Sequence, residues 1–288
     1  MTITKKLLII ASLILLIMGG ATTCSISNLF LFDEGKSGTK ATLPVSLDTL
    51  IKMGEYSKLI YTDADIFADG KVSPDEPEFY GMNLMIDEQY RIEDDAYSYY
   101  VDQSNDNFTV LIFRGTANTE NILDDINMMR FYDEGLGLKL HTGFRDAANL
   151  LYRDIRKSYE LDHKVVLTGH SLGGAIAQII GMWLDMRGYD VQVFTFGSPK
   201  VSTTFIHTKL AHYRVVDPLD PVPFFPWFPY VHSGTVIDVT DLSWSENHEE
   251  GAFTDTDGSD HSIVDYLDIL YNQSECNAKC RGSRDIRE

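Results

Sequence analysis

The chain is poor in positive charge and contains no internal repeat or long low-complexity segment. It has 24 Lys and Arg against 43 Asp and Glu in 288 residues, which gives a formal net charge of −19. A nucleic-acid-binding surface must neutralise phosphates, so this balance argues against nucleic acid as a partner. The 44% hydrophobic and 11% aromatic content excludes a disordered chain. The composition is sufficient for one large domain with a single core.

Long hydrophobic runs are also scarce, and the longest stands at the N-terminus. Lys5 and Lys6 precede an apolar stretch over residues 7–18, and small residues follow it. The stretch is too short to cross a bilayer comfortably, but its pattern is typical of a secretory signal. We therefore predict a signal peptide over residues 1–23 and a linker over 24–44. The protein should be exported, and either secreted, periplasmic or lipid-anchored at the cell surface.

Cysteine is rare, with three residues in the chain. Cys24 lies in "GGATTCS", which resembles the bacterial lipoprotein signal, although Thr23 stands where that signal usually has Gly, Ala or Ser. Lipidation of Cys24, cleavage after Ala21 and an uncleaved anchor all remain open. In an oxidising compartment Cys276 and Cys280 could form a disulfide, which we favour over two free thiols because lipidation of Cys24 would leave an even number.

Apolar strands alternate with helical patterns through the rest of the chain. Helical spacing occurs over residues 46–61, 141–160, 172–187 and 261–271, and strand patterns occur in "AYSYYVD", "NFTVLIF", "KVVLTG", "VQVFTFG", "YRVVD" and "GTVIDVTD". Such alternation predicts the α/β class, with a mainly parallel central sheet flanked by helices. We expect one domain over residues 45–275, followed by a C-terminal tail over 276–288.

A serine sits where a predicted strand meets a predicted helix. In "VLTGHSLGGAIAQ" the residues Gly169 to Gly173 fit G-x-S-x-G, with Ser171 at the centre. In this strand–turn–helix context the motif holds a serine on a sharp turn with its hydroxyl exposed for attack. Ser171 is therefore the candidate nucleophile, and a glycine-rich packing turn is the alternative.

A serine hydroxyl needs a base to accept its proton and an acid to orient that base. In hydrolases with this turn the acid and then the histidine follow the serine along the chain. "YRVVDPLDPVP" offers Asp217 and Asp220 after a predicted strand. Among the later histidines, His232 leads into a strand, His248 lies in a polar loop, and His261 precedes a helix. We favour His261 as the base, and the residues alone leave the acid open between the two aspartates.

Seven sequence blocks resemble the fungal-type triacylglycerol lipases, or class 3 lipases, over roughly residues 95–270. In order they are "VLIFRGT", "HTGF", "VVLTGHSLGGAIAQ", "FGSPKV", "RVVDPLDPVP", "YVHSGT" and "DHSIVDYL". The resemblance implies an α/β-hydrolase fold, hydrolysis of carboxylic esters, and Asp220 as the acid because it directly precedes "PVP". Asp217 departs from the family, in which asparagine is common there. The resemblance also implies oxyanion-hole donors from Leu172 and Thr116.

Two apolar segments are candidates for contact with lipid. "NTENILDDINMMR" would form a lid helix, with an ordinary surface helix as the alternative. "PVPFFPWFPYV" cannot continue a helix or a central strand, and it would line an acyl pocket or touch lipid unless its rings pack on the core. The lid residues are Ile122, Leu123, Ile126 and Met129, and the aromatic residues are Phe224, Phe225, Trp227 and Phe228.

These observations together predict a monomeric, exported serine hydrolase that acts on lipid esters at a lipid interface, most specifically a triacylglycerol lipase. A phospholipase A1, a galactolipase or an esterase of soluble substrates would share the same triad. An inactive lipid-binding protein of the same fold is a more distant alternative. The proposed chemistry needs no metal and no organic cofactor.

Overall fold

The computed structural model describes residues 43–61, 84–85, 90–92, 95–104, 107–115, 129–206, 210–246 and 260–282. Within these ranges, the side chains of residues 84–96 and 277–282 are not described. The expected signal segment, Cys24 and most of the linker therefore lie outside the described residues. In the part of the chain that is described, no helix is long and apolar enough to cross a membrane.

The described strands are β1 (Leu84–Met85), β2 (Tyr90–Ile92), β3 (Asp95–Tyr97), β4 (Tyr99–Asp102), β5 (Thr109–Phe113), β6 (Arg130–Asp133), β7 (Leu138–His141), β8 (Lys164–His170), β9 (Asp190–Phe196), β10 (Ala211–Val216), β11 (Thr235–Asp238) and β12 (Trp244–Glu246). Eight of these described strands form a mixed sheet at the centre of the fold, in the order β1-β4-β5-β8-β9-β10-β11-β12. The five central strands, from β5 to β11 in that order, run parallel, while β1, β4 and β12 run antiparallel to their neighbours at the edges.

Among the described residues, four helices cover the two faces of this sheet. They are α1 (Leu47–Leu59), α2 (Thr142–Ser158), α3 (Leu172–Asp185) and α4 (Ile263–Gly282). One core cluster joins α2 and α3 to the sheet, and a second joins α1 and α4 to the opposite face. The alternation of strand side chains explains this division, since Leu111 and Leu167 belong to the first cluster and Ile112 and Val166 to the second. The predicted α/β-hydrolase architecture is confirmed.

The local sequence explains where the helices begin and how they pack. The Ser46 side chain accepts a hydrogen bond from the Thr49 N–H and caps α1, and the His141 side chain caps α2 through the Phe144 N–H. Residues 173–184 of α3 are all buried, because this helix packs between α2 and the strands β8 and β9. The apolar character of α3 on every side is therefore a requirement of its central position.

The structure differs from the sequence expectations at three places. The predicted strand "AYSYYVD" is divided at Ser98 into β3, which pairs with β2, and β4, which joins the main sheet. A hairpin of β6 and β7 follows the expected lid segment, and no prediction covered it. Helix α4 continues to Gly282, beyond the expected domain end at residue 275.

The carboxyl ends of the parallel strands bring the candidate site together. Strand β8 ends directly before Ser171, and β10 ends directly before Asp217. Strand β9, between them, ends before Gly197. Residues that follow adjacent parallel strands meet at the same edge of a sheet, where open α/β sheets place their ligand sites.

Candidate active site

Ser171 occupies a sharp turn between β8 and α3. Its backbone has φ 57° and ψ −129°, a left-handed conformation that is uncommon for a residue with a side chain. Its N–H donates to the Phe196 carbonyl at 2.9 Å, and its own carbonyl accepts from the Gly174 N–H at 2.9 Å. Backbone contacts to β9 and α3 therefore hold the strained serine in place.

The two motif glycines are required because other backbone occupies the space of a side chain. A Cβ atom on Gly169 would lie 2.4 Å from the Gly173 carbonyl carbon. A Cβ on Gly173 would lie 2.1 Å from the Phe113 carbonyl oxygen at the end of β5. These two positions therefore cannot carry side chains, and the reason is the close packing of β5, β8 and α3.

Asp220 and His261 form a buried pair. The His261 Nδ1 lies 2.7 Å from the Asp220 Oδ2, and both side chains are almost fully inaccessible to solvent. The second carboxylate oxygen, Oδ1, accepts a hydrogen bond from the Val222 N–H at 2.8 Å. This contact fixes the rotation of the carboxylate, so that Oδ2 faces the imidazole.

Asp217 does not contact His261, although it follows β10 directly. Its Oδ1 accepts from the Leu219 N–H at 2.9 Å, as in a local Asx turn. Burial raises the pKa of the Asp217 carboxyl, and the nearby negative charges of Asp260 and Asp220 raise it further. Of the two aspartates that the sequence left open, the structure brings Asp220 to the histidine.

His261 faces the serine turn through the residue that precedes Ser171. Its ring packs against the ring of His170 with centroids 4.6 Å apart and planes inclined at 31°. Ser171 Oγ and His261 Nε2 are both buried, and neither has a hydrogen-bond partner among the described residues. The prediction that the turn exposes the serine hydroxyl was therefore wrong for this structure, because Ser171 is completely buried.

Tyr266 is a member of this cluster that the sequence did not predict. Its hydroxyl donates to Asp220 Oδ2 at 2.7 Å and accepts from the Asp217 N–H at 3.0 Å. Burial, together with the negative charge of Asp220, holds the pKa of the Tyr266 hydroxyl well above its usual value, so the hydroxyl remains a neutral donor. The only signal in the sequence was a tyrosine five residues after His261, within a helical pattern.

A second tyrosine ties the serine turn to β5. The Tyr61 hydroxyl lies 3.0 Å from His170 Nδ1 and is also hydrogen-bonded to the Gly115 backbone. Burial and the proximity of His261 lower the pKa of His170 well below its usual value, so His170 is a neutral spacer. A Cβ on Gly115 would lie 3.1 Å from the Ser171 Cβ, which places the end of "FRG" beside the serine.

Of the two predicted oxyanion-hole donors, Leu172 lies within the described residues and Thr116 does not. Leu172 is the first residue of α3, and an N–H in the first turn of a helix has no acceptor within that helix. Thr116 follows Gly115 directly but lies outside the described residues, as does His248. The position of Leu172 beside Ser171 suits the binding of a developing negative charge.

The aromatic segment after Asp220 divides into a buried and an exposed part. Phe224 is buried in a single 3₁₀ turn over Val222–Phe224, whereas Trp227 is 51% exposed and Phe228 is 88% exposed. Phe225 is half-buried, with its ring 4.6 Å from that of Trp227. His232, one of the later histidines considered for the base, has its Nε2 2.7 Å from the Pro223 carbonyl oxygen. This contact anchors the aromatic segment.

The expected lid falls mostly outside the described residues, and its last member is not helical. Ile122, Leu123 and Ile126 are not described. Met129 directly precedes β6, and its carbonyl accepts from the Thr142 N–H and the Tyr230 hydroxyl. These contacts continue the pairing of β6 with β7, so a helix cannot extend to Met129. Its side chain is 58% exposed.

The remaining predicted sites concern cysteine and metals. Cys276 is disulfide-bonded, while the side chain of Cys280 is not described, so the pairing of these two residues stays a prediction. Within the described ranges, no group of His, Cys, Asp and Glu side chains could hold a metal ion.

Comparison with known proteins identifies similar lipases. Residues 110–229 match the family model described as Lipase (class 3). The secreted mono- and diacylglycerol lipase 1 of Fusarium solani is 33% identical over 138 residues, which cover 43% of this chain and 41% of that protein. The secreted mono- and diacylglycerol lipase A of Penicillium camembertii is 27% identical over 221 residues, which cover 69% and 72%.

The structural comparison supports the fold in particular. The triacylglyceride lipase of Rhizomucor miehei aligns with a TM-score of 0.57 and 22% identity, covering 78% of this chain and 95% of that one. At this level of identity the similarity shows a shared fold. The chain spans about half the length of the first curated relatives that it matches, namely 41%, 57% and 49% of them.

Proposed function

We propose that this chain, which belongs through residues 110–229 to the class 3 lipase family of the α/β-hydrolase superfamily, is a serine hydrolase that cleaves carboxylic esters of lipids. The observation that carries the proposal is the buried contact of 2.7 Å between His261 Nδ1 and Asp220 Oδ2, beside a strained Ser171. This arrangement leaves His261 Nε2 available to the serine hydroxyl. Relatives named as lipases provide the substrate class.

Each residue has a separate role in the proposed reaction. His261 Nε2 accepts the Ser171 proton as Oγ attacks the ester carbonyl carbon, and Asp220 stabilises the resulting imidazolium. The carbonyl oxygen becomes negatively charged and is met by the Leu172 N–H and by a donor from Thr116. His261 then gives the proton to the departing alcohol, which leaves an acyl-enzyme. Water, deprotonated by the same histidine, releases the fatty acid and restores Ser171.

We propose acylglycerols as the substrates and a lipid surface as the place of action. Two of the relatives are named as mono- and diacylglycerol lipases, and one structural neighbour as a triacylglyceride lipase. The exposed rings of Trp227 and Phe228, in the segment that follows Asp220, provide an apolar surface. A lipid surface would cover these rings, which otherwise contact water.

The decisive experiment compares the wild type with Ser171→Ala on three substrates: an emulsified triacylglycerol, a phospholipid vesicle and a monomeric short-chain ester. We expect hydrolysis of the emulsion to exceed that of the vesicles, and a loss in kcat of about 10⁵-fold or more in Ser171→Ala. A serine-directed phosphonate, followed by mass spectrometry, should label Ser171 alone. A folded wild type that neither hydrolyses any ester nor reacts with the phosphonate would instead be an inactive lipid-binding protein.

We also propose that the protein is exported and attached to lipid through Cys24. The relatives named as secreted and the signal-like residues 1–23 support export. Metabolic labelling with an alkyne fatty acid should mark the wild type and not Cys24→Ser. Equal labelling of both would refute the anchor, and an unlabelled, processed wild type would indicate cleavage after Ala21.

A further inference from the structure

The Asp220 carboxylate receives three hydrogen bonds, and two of them converge on one oxygen. Oδ2 accepts from His261 Nδ1 at 2.7 Å and from the Tyr266 hydroxyl at 2.7 Å, while Oδ1 accepts from the Val222 N–H at 2.8 Å. The imidazole and the phenol therefore both donate to the same negatively charged oxygen, Asp220 Oδ2. A donor on the oxygen that orients a catalytic base can control how strongly that oxygen holds the base.

The direction of the Tyr266 hydroxyl is fixed from its other side. The hydroxyl oxygen accepts the Asp217 N–H at 3.0 Å, so its single proton must point toward Asp220. A hydroxyl that accepts one hydrogen bond is polarised into a better donor for the next. The Tyr266 oxygen thus links the backbone at the end of β10 to the carboxylate three residues later.

Packing holds the Tyr266 ring in place, in addition to the hydrogen bonds of its hydroxyl. The residue is completely buried on α4. Its ring makes edge contacts with Phe196, at 6.4 Å between centroids, and with His170, at 6.3 Å. Both neighbours belong to the strands that hold Ser171, so Tyr266 contacts the serine turn and the acid at the same time.

We propose that Tyr266 is a positioning residue that fixes the orientation of the Asp220 carboxylate and moderates the negative charge it presents to His261. This inference rests on the proposed hydrolase function. Without the phenol, Oδ2 would carry a less dispersed charge and would hold a protonated His261 more strongly. The carboxylate would also lose one of the three contacts that orient it.

The other titratable groups around the pair come from four elements. Asp217 lies at the end of β10 and His170 at the end of β8, and each interacts electrostatically with one member of the pair. Asp260, directly before His261, and Asp238 on β11 act on Asp217. Burial raises the pKa of Asp217 and lowers that of His170, and neither side chain donates a hydrogen bond to Asp220. Tyr266 is accordingly the side chain whose removal changes the environment of Asp220 most directly.

The test measures kcat and KM for a monomeric ester as a function of pH in the full-length wild type and in Tyr266→Phe. We expect kcat to fall about 10- to 100-fold, as for loss of a hydrogen bond to a charged group, with KM little changed. The acid limb of the kcat/KM profile should move to higher pH by about one unit, because the protonated form of the base is favoured. An unchanged acid limb would overturn the proposal.

Tyr271→Phe is the matched control, because it removes the same hydroxyl from the same helix. Tyr271 donates to Glu55 Oε1 at 2.8 Å, away from the site. Its variant should keep both kcat and the pH profile of the wild type. An acid limb that moved equally in both variants would show a general effect of α4 and would refute the specific role of Tyr266.

A second substitution at the same position keeps the test informative if Tyr266→Phe does not fold. Tyr266→3-fluorotyrosine retains the hydroxyl and makes it a stronger donor, so the acid limb should move to lower pH while kcat stays near that of the wild type. No movement would count against the proposal. Parallel assays of Ser171→Ala and phosphonate labelling separate the hydrolase function from the role of Tyr266. A wild type that is inactive and unlabelled would refute the hydrolase function itself. With an active wild type, the Tyr266 variants test the role of Tyr266 alone.

Discussion

The two halves of the candidate site are held by different kinds of interaction. The serine half, residues 169–173, is fixed by backbone hydrogen bonds and by contacts that leave no room for a Cβ. The acid–base half comprises Asp220, His261 and Tyr266, and it is fixed by side-chain hydrogen bonds between segments more than 40 residues apart. One half depends on the shape of the chain, and the other on the chemistry of particular side chains.

Because of this difference, the two halves should be sensitive to different kinds of substitution. Added atoms should damage the serine half, because its neighbours are main-chain groups that cannot move aside. Removed polar atoms should damage the acid–base half, because they leave buried partners without hydrogen bonds. The substitutions below test this contrast, beginning with the largest expected effect.

Asp220→Asn should break the acid–base half chemically while keeping its shape. The amide can still accept the Val222 N–H, but it cannot stabilise an imidazolium, so we expect kcat to fall by about 10⁴-fold. Asp217→Asn is the control, because its Oδ1 need only accept the Leu219 N–H, and its kcat should remain near that of the wild type. The reverse result in steady-state kinetics would assign the acid to Asp217.

Gly173→Ala should break the serine half by volume alone. The added methyl group would lie 2.1 Å from the Phe113 carbonyl oxygen, and we expect a loss of about 3 kcal/mol in the free energy of unfolding. Gly188→Ala is the control, since Gly188 has φ +88° but open space around it, and the loss there should be about 1 kcal/mol. Urea unfolding measures both, and equal losses would show that steric contact does not determine the serine half.

Acid should destabilise the whole fold before the pH reaches the range of the carboxylates. Burial lowers the pKa of His170, His212 and His232 well below the unfolded value of about 6.5. Below that pH the unfolded chain binds more protons than the folded one, so the free energy of unfolding must fall as the pH falls. Each histidine contributes a slope of up to about 1.4 kcal/mol per pH unit.

The pH dependence is measured by urea unfolding between pH 7 and pH 5. His212→Gln should reduce the slope by one histidine's share, and Gln can retain a contact to Thr195 in place of the present one at 3.0 Å. His163→Gln, at an exposed position, should leave the slope unchanged. Stability that is independent of pH in this range would contradict the burial of neutral histidines.

Ser171→Gly should release the backbone strain of the serine half. Glycine adopts φ 57° without steric penalty, so we expect this variant to be about 1 kcal/mol more stable than Ser171→Ala, which keeps the Cβ. Both variants lack the hydroxyl and should be equally inactive, which confines the difference to the backbone. Equal thermal stability of the two would mean that the turn stores no strain.

The sequence predicted the serine half almost completely and the acid–base half only in part. G-x-S-x-G between a strand and a helix specifies a contiguous turn, so residues 169–173 could be located from their own pattern. Asp217 and Asp220 were equivalent by position, and the family resemblance was needed to favour one. Tyr266 gave no signal beyond its place in a helical pattern after His261, because its hydroxyl partners, Asp217 and Asp220, lie 49 and 46 residues away.

The sequence of the aromatic segment also did not predict which of its rings are exposed to solvent. Its prolines excluded a helix or a central strand, but the sequence could not separate buried Phe224 from exposed Phe228. The His232 contact with the Pro223 carbonyl and the position of the 3₁₀ turn decide which ring points inward. Hairpin β6–β7 was likewise unpredicted, since its residues alternate weakly and its pairing depends on neighbours.

Sequence patterns were enough to predict the α/β class, the alternation of the five central parallel strands with helices, and the turn that presents Ser171, because these depend on periodicity and on residues adjacent in the chain. The folded arrangement was needed to learn which aspartate contacts His261, which tyrosine supports that aspartate and which aromatic rings contact solvent. Those outcomes depend on hydrogen bonds between segments far apart in the chain. The distances between such segments are set by the packing of the whole sheet, so they cannot be read from the local sequence.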